Sequence, residues 1–245
     1  MRVGAAALAA GLCGGLGTLC FLLAFGTDYW LLASDNCGPY TWQMQPRDGA
    51  VNNGTEEVVA VPPSSLILHH EGFFWRCTFY TEPAAHAGWA TLFTNQPESK
   101  FCIHGYLFPL PVALGQVPHP SYDATAVFRG FWTLLIILGM VTSLTGLFLL
   151  LCGVPFLSHK LYRLGGAFLI AAAIFYLVVV VLYVLWVELA DVKRYMLQER
   201  GESCPNAQLS VLYGWSFMLA VAGVPLVLLS GILFTLVGHV LRASK

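Results

Sequence analysis

Four long stretches without Asp, Glu, Lys or Arg constrain this chain more than any other feature. They run from Val3 to Thr27, from Gly130 to about Phe156, from Leu164 to Val187 and from Leu209 to about Val240. A bilayer core takes roughly 20 mostly apolar residues per helix, and backbone inside it must satisfy its own hydrogen bonds. Each stretch therefore reads as a membrane-spanning helix. Composition agrees, since 57% of the residues are hydrophobic and 10% charged, against about 25% charged in a soluble domain. The first stretch also has features of a secretory leader, with Arg2 ahead of it and Ala24-Phe25-Gly26 at a cleavage-like spacing. Its apolar run exceeds the roughly 7–15 residues of a leader's core, and it is read as a retained span.

The expected organisation is a first span over 1–27, a large outer loop over 28–128, a second span over 129–153 and a short turn over 154–163. A third span over 164–188, a second outer loop over 189–209, a fourth span over 210–240 and a tail over 241–245 complete it. All 13 acidic residues lie between Asp28 and Asp123 or between Glu188 and Glu202, and the remaining tips carry only Arg2, Lys160, Arg163, Arg242 and Lys245. Cations in short loops near the spans mark the cytosolic side, although Lys193, Arg194 and Arg200 dilute the bias. The expectation is a multi-pass plasma-membrane protein with both termini in the cytosol. The sequon Asn53-Gly54-Thr55 fits that orientation, because Asn53 can be glycosylated only on the outer side. So do the cysteines: Cys37, Cys77, Cys102 and Cys204 lie on the acidic side, where four thiols allow three pairings. Cys152 borders the cytosol, as a palmitoylation candidate or a buried apolar thiol.

Within the large outer loop, apolar and polar residues alternate locally, which predicts strands near 29–34, 73–81 and 101–108 with a turn-rich excursion from Gly38 to Ser65. The run His69-His70-Glu71-Gly72-Phe73-Phe74-Trp75-Arg76-Cys77 stands at its centre, and Trp75 is expected to pack the sheet against the helices. So small a sheet calls for a staple. Cys77 and Cys102 lie on two of the predicted strands, and pairing Cys37 with Cys204 would tie the two outer loops together. Tyr29-Trp30, Phe131-Trp132, Tyr183 with Trp186, and Tyr213 with Trp215 sit at span ends and read as an interfacial aromatic belt. Ala7, Gly11 and Gly15, four apart, predict a close-packing helix face, used within the bundle or, as the second option, in a homo-oligomer. Ser121 or Asp123 is a candidate helix cap ahead of the second span, a helical extension of the third span to Gln198 is expected, and Pro225 should kink the fourth.

No chemistry-bearing pattern accompanies this architecture. His69-His70-Glu71 lacks the spacing that places two imidazoles on one helical face, and nothing fixes His86, His104 or His119 beside it. Glu71, Glu82, Asp123 and Glu188 read as solvated loop acids, and neither a nucleophile elbow nor a phosphate-binding glycine loop is present. No Lys, Arg, Asp or Glu lies inside the four spans, which argues against an ion or proton path. Arg129, at the start of the second span, is expected to snorkel to the interface or pair with an outer acid. The expectations are no enzyme activity, no cofactor, no metal and no nucleic-acid partner, with membrane lipids around the helices.

Four spans, a large first outer loop, Trp30 just past the first span, Gly72-Phe73-Phe74-Trp75-Arg76-Cys77, a second cysteine at Cys102 and Arg129 opening the second span together resemble the claudin superfamily. That group includes the epithelial membrane proteins and calcium-channel gamma subunits. The resemblance implies a left-handed four-helix bundle under a small extracellular antiparallel sheet, with a disulfide carried onto Cys77 and Cys102. Phe25 to Ala33, His69 to Cys77, Thr94-Asn95-Gln96-Pro97 and Val211 to Phe217 resemble more closely a muscle member of that superfamily. That likeness implies negative regulation of myoblast differentiation and fusion, with integrin beta-1 as candidate partner. The interval from Trp30 to Trp75, the Cys77–Cys102 spacing and the short end after Val240 depart from the claudin pattern. They weaken a junction-strand reading and leave an auxiliary channel or receptor subunit as the alternative.

Overall fold

The structure, a computed structural model, describes residues 2–35, 66–81, 101–105, 107, 124–156, 158–189 and 209–244. Its elements follow the chain as α1 (Arg2–Gly26), β1 (Leu31–Asp35), β2 (Leu66–Glu71), β3 (Trp75–Thr81), β4 (Phe101–His104), α2 (Ala124–Phe156), α3 (His159–Leu189), β5 (Leu209–Tyr213) and α4 (Trp215–Ala243). All four helices are long and apolar enough to cross a membrane.

The helices are apolar all round, and small residues decide which side packs. In α1 Ala10, Gly14, Gly17, Phe21 and Ala24, alternately four and three apart, are buried together with Thr18, while Leu8, Leu12, Leu16, Leu19 and Leu23 are exposed. This seam lies round the helix from the expected Ala7-Gly11-Gly15 face. Ala7 and Gly11 are only half-buried, and Gly15 is exposed with nothing near a would-be Cβ. Leucines turned to lipid lose nothing there, so burial is governed by how closely backbones can approach.

The bundle packs α1 against α4, α4 against α3 and α3 against α2. Each crossing is a glycine pair: Gly17 with Gly223, Gly166 with Gly231 and Gly146 with Gly165. A Cβ on any of the six would stand 2.8–3.0 Å from the opposing carbonyl oxygen. Polar pins accompany them. Ser230 Oγ donates to the Ala10 carbonyl at 2.7 Å, the Ser143 and Tyr176 hydroxyls are 2.8 Å apart, and the Phe21 and Tyr176 rings stack at 3.7 Å.

Five strands form one antiparallel sheet in the order β4-β3-β2-β1-β5. Two were not expected from sequence. β2 fell between the excursion and the aromatic run, and β5 occupies the beginning of the expected fourth span, where Ser210 to Tyr213 are extended beside β1. Hydropathy cannot separate an apolar strand from a helix end, and only the partner β1 decides the matter. The expected turn over 154–163 is also shorter: α2 runs to Phe156 and α3 starts at His159, which places Lys160 and Arg163 in helix. Helix α4 continues through Pro225. Ser121, Asp123 and the expected extension to Gln198 lie outside the described residues.

Candidate functional site

The seam between sheet and bundle holds the sequence-marked residues, and it is built from the backbone outward. After α1 ends, the Tyr29 carbonyl accepts from the Ser216 N–H at 3.1 Å, and the Gly214 N–H donates to the Trp30 carbonyl at 3.0 Å. The Ser216 hydroxyl accepts from the Tyr29 N–H at 3.2 Å and lies 2.8 Å from that of Thr27. The start of α4 and the exit of α1 are thus tied at one point. The Trp30 N–H donates to the Glu71 carbonyl at 3.1 Å, bringing in β2. Gly72 then turns the chain against Thr27 and Asp28, where a Cβ would collide with their backbone. That close approach is the reason for glycine in the Gly72-to-Cys77 run.

Beneath the sheet, aromatic rings fill the mouth of the bundle. Trp30 is fully buried, donates Nε1–H to the Ala24 carbonyl at 2.6 Å, and meets Phe73 at 4.8 Å, Tyr183 at 5.0 Å and Phe217 at 6.0 Å between ring centres. Trp132 donates to the Leu107 carbonyl at 2.8 Å and lies edge-on to Trp186 at 5.6 Å and Phe73 at 6.1 Å. These residues are therefore not an interfacial belt: Trp30, Trp132, Tyr183 and Trp186 are all buried. A belt residue has to be exposed at the helix end, and of the residues expected there Phe131 is, at 59%. Trp75 also departs from expectation. It is 38% exposed, and Phe73 is the ring that carries the sheet into the bundle. The hairpin bend at Gly72 puts Phe73 inward and leaves Trp75 on the strand.

A buried polar layer lies between the aromatic core and the outer side. Glu71 and Arg76 face each other across β2 and β3, both almost fully buried, with Arg76 Nε 4.0 Å from Glu71 Oε2. Glu71 is not the solvated loop acid expected from sequence. His70 is buried, donates from Nδ1 to the Asp28 carbonyl at 3.0 Å and stacks on Tyr29 at 4.2 Å; since a carbonyl only accepts, Nδ1 carries the proton. His69 Nδ1 lies 3.1 Å from Thr78 Oγ1. Burial raises the Tyr29 phenol above its ordinary value, with the Asp28 carboxylate adding to the effect. The Tyr213 phenol is raised by partial burial and by Glu188, whose carboxylate accepts a hydrogen bond from it at 3.3 Å. Arg129 is half-buried in α2 at the same end of the bundle.

Cys77 and Cys102 are directly opposed on β3 and β4, with Cα atoms 4.1 Å apart, and form a disulfide. Cys77 is buried and Cys102 exposed. Cys152 is a half-buried free thiol. Asn53, Cys37, Cys204, His86 and His119 lie outside the described residues. Among the described residues no group of three His, Cys, Asp or Glu could hold a metal ion. The arrangement is a latch, which ties the sheet to the bundle through Thr27, Tyr29, Trp30, Gly214 and Ser216. Sequence reasoning missed Thr27, Gly214 and Ser216; the only signal was a small polar pair inside an apolar run.

The family model described as PMP-22/EMP/MP20/Claudin tight junction matches residues 15–236. The chain belongs to this PMP-22/EMP/MP20/claudin family. Among curated relatives, transmembrane protein 182 of Gallus gallus is 43% identical over 240 residues, covering 96% of this chain and 95% of the relative. The proteins of the same name from Mus musculus and Homo sapiens are each 42% identical, the first over 98% and the second over 97% of this chain, and each over 97% of its own length. In this claudin-family chain, the marked residues Trp30, Gly72, Cys77 and Cys102 all belong to the latched sheet and its junction with α1.

Proposed function

We propose that this chain is a non-enzymatic plasma-membrane regulator that binds another membrane protein through its sheet end. The sheet end faces outward and both termini lie in the cytosol, an orientation supported by the cations at the opposite tips and the sequon at Asn53. The observation that carries the reading is the latch itself. A sheet clamped through Ser216, Trp30 and Gly72 and stapled at Cys77–Cys102 is a rigid platform, which lowers the entropy lost on docking.

The likeness to transmembrane protein 182 directs the choice of partner to an integrin beta-1 chain and the choice of process to restraint of myoblast differentiation and fusion. The turn-rich excursion from 38 to 65 is the contacting segment. The test is co-purification of full-length chain from muscle-cell membranes, alongside a variant with residues 38–65 replaced by a short Gly-Ser linker. Integrin beta-1 is expected with the full chain and lost with the variant at equal surface level, and fusion index should rise correspondingly. Equal recovery with both forms, or none with either, overturns the reading.

A further inference from the structure

At the end of the bundle opposite the sheet, three cations converge on one helix crossing. Lys160 and Arg163 are three apart in the first turns of α3, and so share a face. Arg163 lays its stem over Gly238 of α4: a Cβ there would stand 2.6 Å from Arg163 Cγ and 3.1 Å from the His159 carbonyl oxygen. Arg242 lies four residues beyond Gly238, one turn further along the same face of α4. Lys160 and Arg242 are exposed and Arg163 half-buried. The glycine at 238 lets the two helices close at this point, and closing them brings like charges together.

Among the described residues no Asp or Glu side chain lies at this end of the bundle. The described Asp and Glu residues are Asp28, Asp35, Glu71 and Glu188, and every one belongs to the sheet or to the helix ends beneath it. The sequence from Ala124 to Val187 and from Cys204 to Lys245 contains no Asp or Glu. Val154, Leu164, Leu236 and Val240 are exposed on the same end segments of α2, α3 and α4, Leu164 next in sequence to Arg163 and Val240 two residues before Arg242. Alkyl surface beside a three-cation crossing matches acyl chains beside a phosphate.

We propose that Lys160, Arg163 and Arg242 form a binding site for the headgroup phosphate of an anionic phospholipid in the adjacent leaflet. Arg163 supplies a planar fork for two phosphate oxygens, and Lys160 and Arg242 neutralise the remaining charge from either side. The site depends on the helix crossing and is independent of which partner the sheet binds.

The experiment uses full-length chain in nanodiscs of phosphatidylcholine containing one fifth phosphatidylserine or phosphatidylinositol 4,5-bisphosphate. Lipid retained after detergent extraction is read by native mass spectrometry, and melting temperature is read in parallel. Anionic lipid should be retained at least tenfold above phosphatidylcholine and should raise the melting temperature. The K160Q/R163Q/R242Q variant should lose both effects while melting in pure phosphatidylcholine as the parent does. If the triple variant does not fold, K160Q/R242Q, which alters only exposed side chains, should still lower retention severalfold. Equal retention by parent and variant, or of anionic and neutral lipid, overturns the proposal. Displacement of the lipid by millimolar inorganic phosphate would show a free-anion site and overturn the lipid assignment.

Discussion

Glu71 and Arg76 show what a single pair of residues does at the seam. Charges in a low-dielectric layer are costly to bury, and removing one leaves the other without compensation, at about 3–5 kcal/mol. Glu71→Gln and Arg76→Met should each lower stability by that order in chemical denaturation. The double variant should cost clearly less than the sum, whereas strict additivity would show that the two carboxylate and guanidinium groups are uncoupled. The raised phenols give a second residue-scale expectation. A folded-state pKa above the unfolded value near 10 means the folded chain holds the proton more tightly. Stability should therefore be insensitive to these groups at neutral pH and fall as pH rises past 10. Tyr29→Phe should flatten that alkaline slope in a thermal-melt series from pH 8 to 11, and an unchanged slope would exclude Tyr29 as a source.

Helices and strands answer to different forces here. The helix crossings depend on glycine, so Gly166→Leu, whose side chain would run into Thr235 and the Gly231 carbonyl, should destabilise the bundle by about 1–3 kcal/mol or more. Gly15→Leu, on the open side of α1, should leave the melting temperature unchanged or slightly higher, because glycine is a poor helix residue. Equal damage from both substitutions would contradict the seam assigned to α1. The strands depend on the staple: Cys77→Ser with Cys102→Ser opens a loop with a sequence separation of 25, worth about 3 kcal/mol. Loss should appear first as protease sensitivity around β4, with the helices still intact. The excess of apolar residues made the helices legible in sequence. β2 and β5 were not: β5 is defined by β1, far away in sequence, and β2 lies between β3, its hairpin partner, and the same distant β1.

For the whole molecule, sidedness and latching meet in one expectation. With the sheet end outside, a membrane-impermeant maleimide applied to intact cells should leave Cys152 unlabelled, and endoglycosidase treatment should shift the mobility of the parent chain but not of Asn53→Gln. Labelling of Cys152 from outside would reverse the proposed orientation. The sequence by itself determined that four apolar stretches can cross a membrane and that charge is segregated between the two ends, which are properties of composition and act locally. That Trp30, Gly72, Cys77 and Cys102 belong together was implied by the resemblance to a known family. Only the tertiary structure decided that Trp30, Trp132 and Trp186 form a core instead of a belt, that Phe73 and not Trp75 enters the bundle, and that Glu71 is buried beside Arg76. The first Leu209-to-Tyr213 turn of an apparent span became a strand for the same reason: which side of an apolar segment is covered depends on the partner that arrives, and no local pattern encodes it.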